Sequence, residues 1–102
     1  MAKKLVRDFI PEEVKDSDKN INFYQLKKED QLKFLKAKLL EESKEFIGSD
    51  SYEELIDILE VIDAISTKMH IDFEELLKMK KNKKQKRGGY DKGIIVISYF
   101  NN

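Results

Sequence analysis

The chain has 102 residues, of which 40% are hydrophobic and 39% charged, enough for one modest core and hence one domain over residues 1–102. Twenty basic residues balance 20 acidic ones, so neither a globally basic nucleic-acid binder nor an acidic tail protein is expected. There is no cysteine and one histidine, His70, which excludes disulfides, zinc-thiolate sites, cysteine nucleophiles and a multi-histidine metal site within one chain.

Residues 1–27 read as largely irregular. Lys3 and Lys4 imitate the basic start of a signal peptide, but Arg7 and Asp8 interrupt the apolar stretch after two residues, so a cytoplasmic location is expected. Pro11, the one proline, suits the opening of a short helical turn, and Asp16 to Asn22 is polar and turn-like. A long helix is expected from about Glu29 to Ile47, because Leu32, Leu35, Leu39, Phe46 and Ile47 recur at helical spacing. Gly48 is placed to end it. Ser49, Asp50 and Ser51 offer N-caps for a second helix running to about Met69, with Leu55, Ile58, Leu59, Ile62 and Ile65 on one side. His70, at its end, reads as a capping residue rather than a catalyst. A third helix begins after Asp72, which forms a capping-box pattern with Glu75, and ends at Arg87 before Gly88-Gly89. Gly93 to Phe100 reads as a short buried strand, paired with Lys3 to Arg7 or with another subunit. Its Ile94–Ile97 core is the longest fully apolar run, far short of the roughly 20 residues a membrane-spanning helix needs. The expected fold class is all-α, an antiparallel helical bundle with a short C-terminal β-strand.

The zero net charge hides segregation. From Glu41 to Asp63 nine acids face Lys44 alone, and from Lys78 to Lys92 eight bases face Asp91 alone. Within the acidic block, Glu42 and Glu45 lie three apart on one helix face, as do Glu54 and Asp57 on the next. The short turn makes the two helices antiparallel. Counting outward from that turn sets Glu42 level with Asp57 and Glu45 level with Glu54, near the closed end of the hairpin. On a helical wheel Glu42 borders the apolar stripe, Glu45 lies further round, and Glu41 points more outward. Asp63 turns away and matches the depth of Lys36, which suggests an ordinary ion pair. Four carboxylates so close repel strongly when ionised. A hard divalent ion relieves that, and Mg²⁺ takes one or two carboxylates together with waters and phosphates. The competing reading is a solvated glutamate-rich face, with Glu54 serving the N-terminus of the second helix and Glu41 and Glu45 forming an i,i+4 surface pair.

The pattern Glu41-Glu42-x-x-Glu45 followed by Glu54-x-x-Asp57 resembles the signature of the all-α, MazG-like nucleoside triphosphate pyrophosphohydrolases. Three further segments resemble the small house-cleaning branch labelled phosphoribosyl-ATP pyrophosphohydrolase-like. These are Lys4-Leu5-Val6-Arg7-Asp8 with Ile10-Pro11-Glu12, then Glu60 to Ala64, then Arg87-Gly88-Gly89-Tyr90. The resemblance covers nearly the whole chain in order. It departs at Phe9, where a basic residue is common, and in a shorter spacer from Glu45 to Glu54. It implies hydrolysis between the α and β phosphates of a nucleotide, giving a monophosphate and pyrophosphate. It also implies Mg²⁺, or Mn²⁺ in its place, held by Glu42, Glu45, Glu54 and Asp57, and a homodimer completing a helical bundle. Glu42 or Glu45 is the expected acceptor of the attacking water's proton.

Phosphates also need cations. The two arginines, Arg7 and Arg87, both lie in the outer motifs, and arginine offers phosphate a bidentate fork. Arg7, Arg87, Lys4 and Lys84 are the expected substrate-binding residues; the competing use of Arg7 is an ion pair with Asp8 or Glu12. Three other readings stand beside this one. Phosphoribosyl-ATP hydrolysis in histidine synthesis uses the same chemistry. Nucleic-acid binding through Lys78 to Lys92 predicts steep salt dependence but leaves the acidic hairpin without a role. A helical interaction protein has the fold without the chemistry.

Overall fold

Four helices make up the regular structure of the described residues, 3–14 and 20–97, in a computed structural model of the chain. They are α1 (Ile10–Val14), α2 (Lys28–Ser49), α3 (Tyr52–Lys68) and α4 (Phe73–Arg87). All lie where the sequence placed them, with ends moved by local chemistry. At the start of α2, Glu29 and Asp30 occupy the first turn, where acidic side chains complement the free N–H groups. The Gln31 side-chain amide donates back to the Leu26 carbonyl at 3.1 Å.

The end of α2 departs from expectation. Gly48 sits inside the helix, and Asp50 takes the left-handed conformation at φ 54°, its N–H donating to the Phe46 carbonyl at 2.8 Å. Aspartate tolerates this region better than most residues, through local hydrogen bonding of its short side chain. The Ser49 hydroxyl oxygen accepts from the Ser51 N–H at 3.2 Å, and the Ser51 hydroxyl caps α3 by accepting from the Glu53 N–H at 3.3 Å. Two residues thus reverse the chain.

Helix α3 closes with a paired motif around His70, which adopts φ 62°. The His70 N–H donates to the Thr67 carbonyl at 3.1 Å and the Ile71 N–H to the Ser66 carbonyl at 2.9 Å. That satisfies two carbonyls the helix leaves open, so His70 caps through its backbone. Asp72 holds the N-cap position of α4 without a side-chain capping bond, so the expected capping box with Glu75 is not made. Gly88, at φ 84°, ends α4 by donating to the Lys84 carbonyl at 2.7 Å. There is no strand among the described residues. Residues 93–97 are irregular, and the rest of the expected strand, 98–100, lies outside the described residues.

The chain divides after Ile71 into two compact units. In the first, α2 and α3 pack on one another, antiparallel because only Asp50 and Ser51 separate them. Leu35 and Val61, each 8% exposed, are its buried apolar side chains, joined by the polar Ser66 and Glu42. Part of the expected core stripe is open: Ile47, Leu55 and Leu59 are exposed, and so, off that stripe, are Leu40 and Ile56. Two helices meet along one seam and cannot cover apolar side chains pointing elsewhere. The second unit carries α4, which buries no side chain and ends in Lys84, Lys86 and Arg87, cations suited to a helix C-terminus. No helix among the described residues is long and apolar enough to cross a membrane.

Candidate metal centre

Near the turn of the hairpin the two helices bring carboxylates together. Glu42 from α2 meets Glu54 and Asp57 from α3, with one oxygen of each within 4.8 Å of the others. The i,i+3 spacing puts Glu54 and Asp57 on one face of α3, and the two-residue turn sets the register that carries them to Glu42. A second trio of the same spread, Glu41, Glu42 and Glu45, lies along α2. Glu42 belongs to both. Glu45, set level with Glu54 by the sequence, groups with its own helix and is exposed.

Burial sharpens the picture. Glu42 is 6% exposed, among the most buried residues described. Its Oε2 and the Oε2 of Glu54 are buried without a hydrogen-bond partner. An unsatisfied buried oxygen is costly, and more so when it carries charge. Glu54 responds as expected: burial, then the negative charges of Glu45, Glu42 and Asp57, and last a hydrogen bond shared with the Glu42 carboxylate, push its carboxyl above the ordinary value. A carboxylate that resists ionisation beside three others is a site short of positive charge.

Three cations partly supply that charge. Lys38, one helical turn before the glutamates, reaches Glu41 at 2.7 Å and Glu42 Oε1 at 3.2 Å. Burial alone would lower its pKa, but the hydrogen bonds and charges of Glu41 and Glu42 outweigh it and the pKa is raised. Glu41 shows the converse. Burial raises it, while Lys38 and Lys4 pull the net value down. The other two cations come from the segment before α1. Lys4 Nζ lies 3.5 Å from Glu41, and the Arg7 guanidinium donates to Asp57 Oδ1 at 2.7 Å.

Of the residues the sequence singled out, Glu42, Glu54, Asp57 and Arg7 therefore converge, with Glu45 and Lys4 at the flank. Arg7 pairs with Asp57 rather than with Asp8 or Glu12. Lys84 and Arg87 lie on α4, in the second unit. Sequence reasoning turned Glu41 outward and passed over Lys38; the signal was present in the i,i+3 and i,i+4 spacing of Lys38 to Glu41 and Glu42. The expected Lys36–Asp63 ion pair is not formed. The Asp63 carbonyl instead accepts from the hydroxyls of Ser66 at 2.8 Å and Thr67 at 3.2 Å.

The donor set is all oxygen, from carboxylates on two helices, which suits a hard divalent ion and not a soft one. The bare Oε2 atoms of Glu42 and Glu54, with Asp57 beside them, fit such an ion. The chain matches no protein-family model, no curated protein and no solved structure.

Proposed function

We propose that this chain is a Mg²⁺-dependent nucleotide pyrophosphohydrolase of the MazG-like kind, cleaving the α–β phosphate bond of a nucleoside triphosphate or related nucleotide. The observation that supports it most is the buried, unpartnered Glu42 oxygen set among Glu54 and Asp57. Solvated glutamate faces keep their oxygens in water; here the Oε2 atoms of Glu42 and Glu54 are withdrawn from it. Glu42, Glu45, Glu54 and Asp57 would hold the ion, and Mn²⁺ would serve in place of Mg²⁺. When bound, such an ion neutralises phosphate oxygens and lowers the pKa of a coordinated water. The chain's own residues do the rest. Glu42 and Glu45 are the candidate proton acceptors for the attacking water. Lys4 and Arg7, in the unit that carries the carboxylates, are the candidate phosphate partners, the arginine as a bidentate fork. The fitting service is the removal of non-standard nucleotides.

The same reading includes a homodimer that completes the helical bundle. Tyr52, Ile56 and Leu59 follow one another at helical spacing on α3 and are 74%, 54% and 53% exposed. A stripe of that kind on a chain with so little buried core suits a second copy.

The test is pyrophosphate release from a panel of nucleoside triphosphates and phosphoribosyl-ATP, with Mg²⁺ and with chelator. Metal-dependent release is expected, reduced about 100-fold or more by Glu42→Gln and by Asp57→Asn. Folded protein that releases nothing from any of these compounds, and gains no stability from Mg²⁺, refutes the enzyme and leaves a helical interaction protein.

A further inference from the structure

The cations around the carboxylates are of two kinds. Lys38 is built into α2, its side chain 18% exposed, and touches Glu41 and Glu42 from its own helix. Arg7 comes from outside the hairpin, 50 residues before its partner, and both ends of its ion pair are open to water: 55% exposed at Arg7 and 41% at Asp57. Lys4, 57% exposed, makes the longer contact to Glu41. Lys3 stands over the Tyr24 ring at 5.4 Å. The segment before α1 thus reaches the hairpin through Lys4 and Arg7, and the stretch before α2 through Lys3.

Asp57 belongs to the trio that holds the two buried, unpartnered oxygens. An ion that drew on all three carboxylates would compete with Arg7 for Asp57. The contest is unequal. A half-exposed ion pair contributes little, whereas a divalent ion coordinates carboxylate oxygen directly at about 2.1 Å.

We propose that Arg7 is an exchangeable counter-cation of the carboxylate centre: it neutralises Asp57 while no metal is bound, and a divalent ion entering the centre releases it. The inference rests on the metal reading above and adds a coupling to it. Loading the centre frees the Arg7 guanidinium beside it and loosens the segment around residues 3–9 at its shortest ion pair. Lys4 remains on Glu41, outside the trio, and Lys38 remains on α2. The released fork is then available to an anion arriving with the metal, which ties anion binding to metal binding through one side chain.

Two measurements on the full chain test this. The first is Mn²⁺ affinity by electron paramagnetic resonance, for wild type, Arg7→Gln and Arg7→Lys, with circular dichroism confirming unchanged helix content. Loss of the competing cation should tighten Mn²⁺ binding about three- to fivefold in Arg7→Gln, with Arg7→Lys between it and wild type. The second is the arginine Nε–H nuclear magnetic resonance signals during a Mg²⁺ titration. The chain has two arginines, so Arg87→Lys assigns both. The Arg7 signal should move to the position of a solvated guanidinium as Mg²⁺ saturates, while the Arg87 signal stays. If wild type binds Mn²⁺ but Arg7→Gln binds it equally or more weakly, or the Arg7 signal is unmoved at saturation, the exchange is refuted and the metal centre stands. If wild type binds no Mn²⁺, the metal centre is refuted and the exchange falls with it.

Discussion

Replacing Lys38 with methionine keeps much of the stem and the helix propensity while removing the charge. In the hairpin Lys38 Nζ bridges Glu41 and Glu42, and its side chain is 18% exposed against 7% for Glu42 and 30% for Glu41. Removing one partner of a fully buried pair costs about 3–5 kcal/mol; an exposed pair is worth about 0–1 kcal/mol. Glu42 sits at the buried end of that range, while Glu41 can turn towards water. The two together give a loss of about 2 kcal/mol for Lys38→Met. At a slope of about 1 kcal/mol per molar urea for so small a chain, the unfolding midpoint falls by about 2 M in metal-free buffer. The assay is urea titration followed by far-ultraviolet circular dichroism, with chelator and again with about 10 mM Mg²⁺. The ion supplies the charge that lysine gave, so Mg²⁺ should restore at least half of the loss and stabilise the variant more than wild type. A variant midpoint within about 0.3 M of wild type would show that Lys38 does not neutralise a buried charge. Equal Mg²⁺ shifts in both proteins would show that the ion does not meet Glu42.

The pH dependence follows from Glu54 and Glu41. Glu54 has its folded pKa raised above the ordinary 4.5 by burial and by Glu45, Glu42 and Asp57, so the folded state binds its proton more tightly than the unfolded chain. Metal-free stability should therefore rise as pH falls through that raised value towards 4.5, and Glu54→Gln should remove the rise. Glu41 works in the opposite sense. Its folded pKa is lowered by Lys38 and Lys4 against burial, so its contribution is present above 4.5 and lost as pH falls through the depressed value. A urea midpoint that is flat or falling from neutral pH to 4.5 would contradict the crowding of the centre. If the proposed dimer forms through the exposed α3 stripe, Ile56→Glu should move sedimentation equilibrium towards monomer while changing helix content little, since Ile56 is 54% exposed within one chain. Unchanged association would place any interface elsewhere.

The helices were legible because their signals are local. Ser51 and His70 act within four residues of where they sit, and the apolar spacing of α2 and α3 gave their extents within two residues at each end. The carboxylate register was legible in part. A short turn ties the depths of two helices, which sets Glu42 against Asp57, but Glu42 also meets Glu54, whose expected partner at that depth, Glu45, groups with its own helix. Gly48 misled because glycine at a helix end is a tendency, and the turn took its left-handed residue two positions later, at Asp50. Arg7 misled more. Asp8 and Glu12 are its near neighbours in sequence, yet its partner is Asp57, and spacing carries no information about a contact 50 residues away. The C-terminal run turns on the same kind of contact, and no strand is formed over its described residues 93–97. Isoleucine and valine favour a strand, but a strand exists only when another is paired to it.

The position of Glu42 bears on stability and function together. Among its described residues the first unit has two buried apolar side chains, Leu35 and Val61, and a buried glutamate as well. A chain selected for stability alone would gain from an apolar residue there, since well-packed hydrophobic replacements of buried ion pairs are often neutral or stabilising by about 1–4 kcal/mol. Lys38 answers one oxygen of Glu42 and leaves the other bare. A structural ion pair would be completed by a second cation, and Glu54 and Asp57 are both acids. The arrangement is poor as a core and poor as a salt bridge, and it becomes favourable when a cation enters among the three carboxylates. On that argument the double replacement Lys38→Met with Glu42→Leu should make the metal-free protein more stable and at the same time abolish its response to Mg²⁺. A variant that lost stability as well would return Glu42 to a structural role.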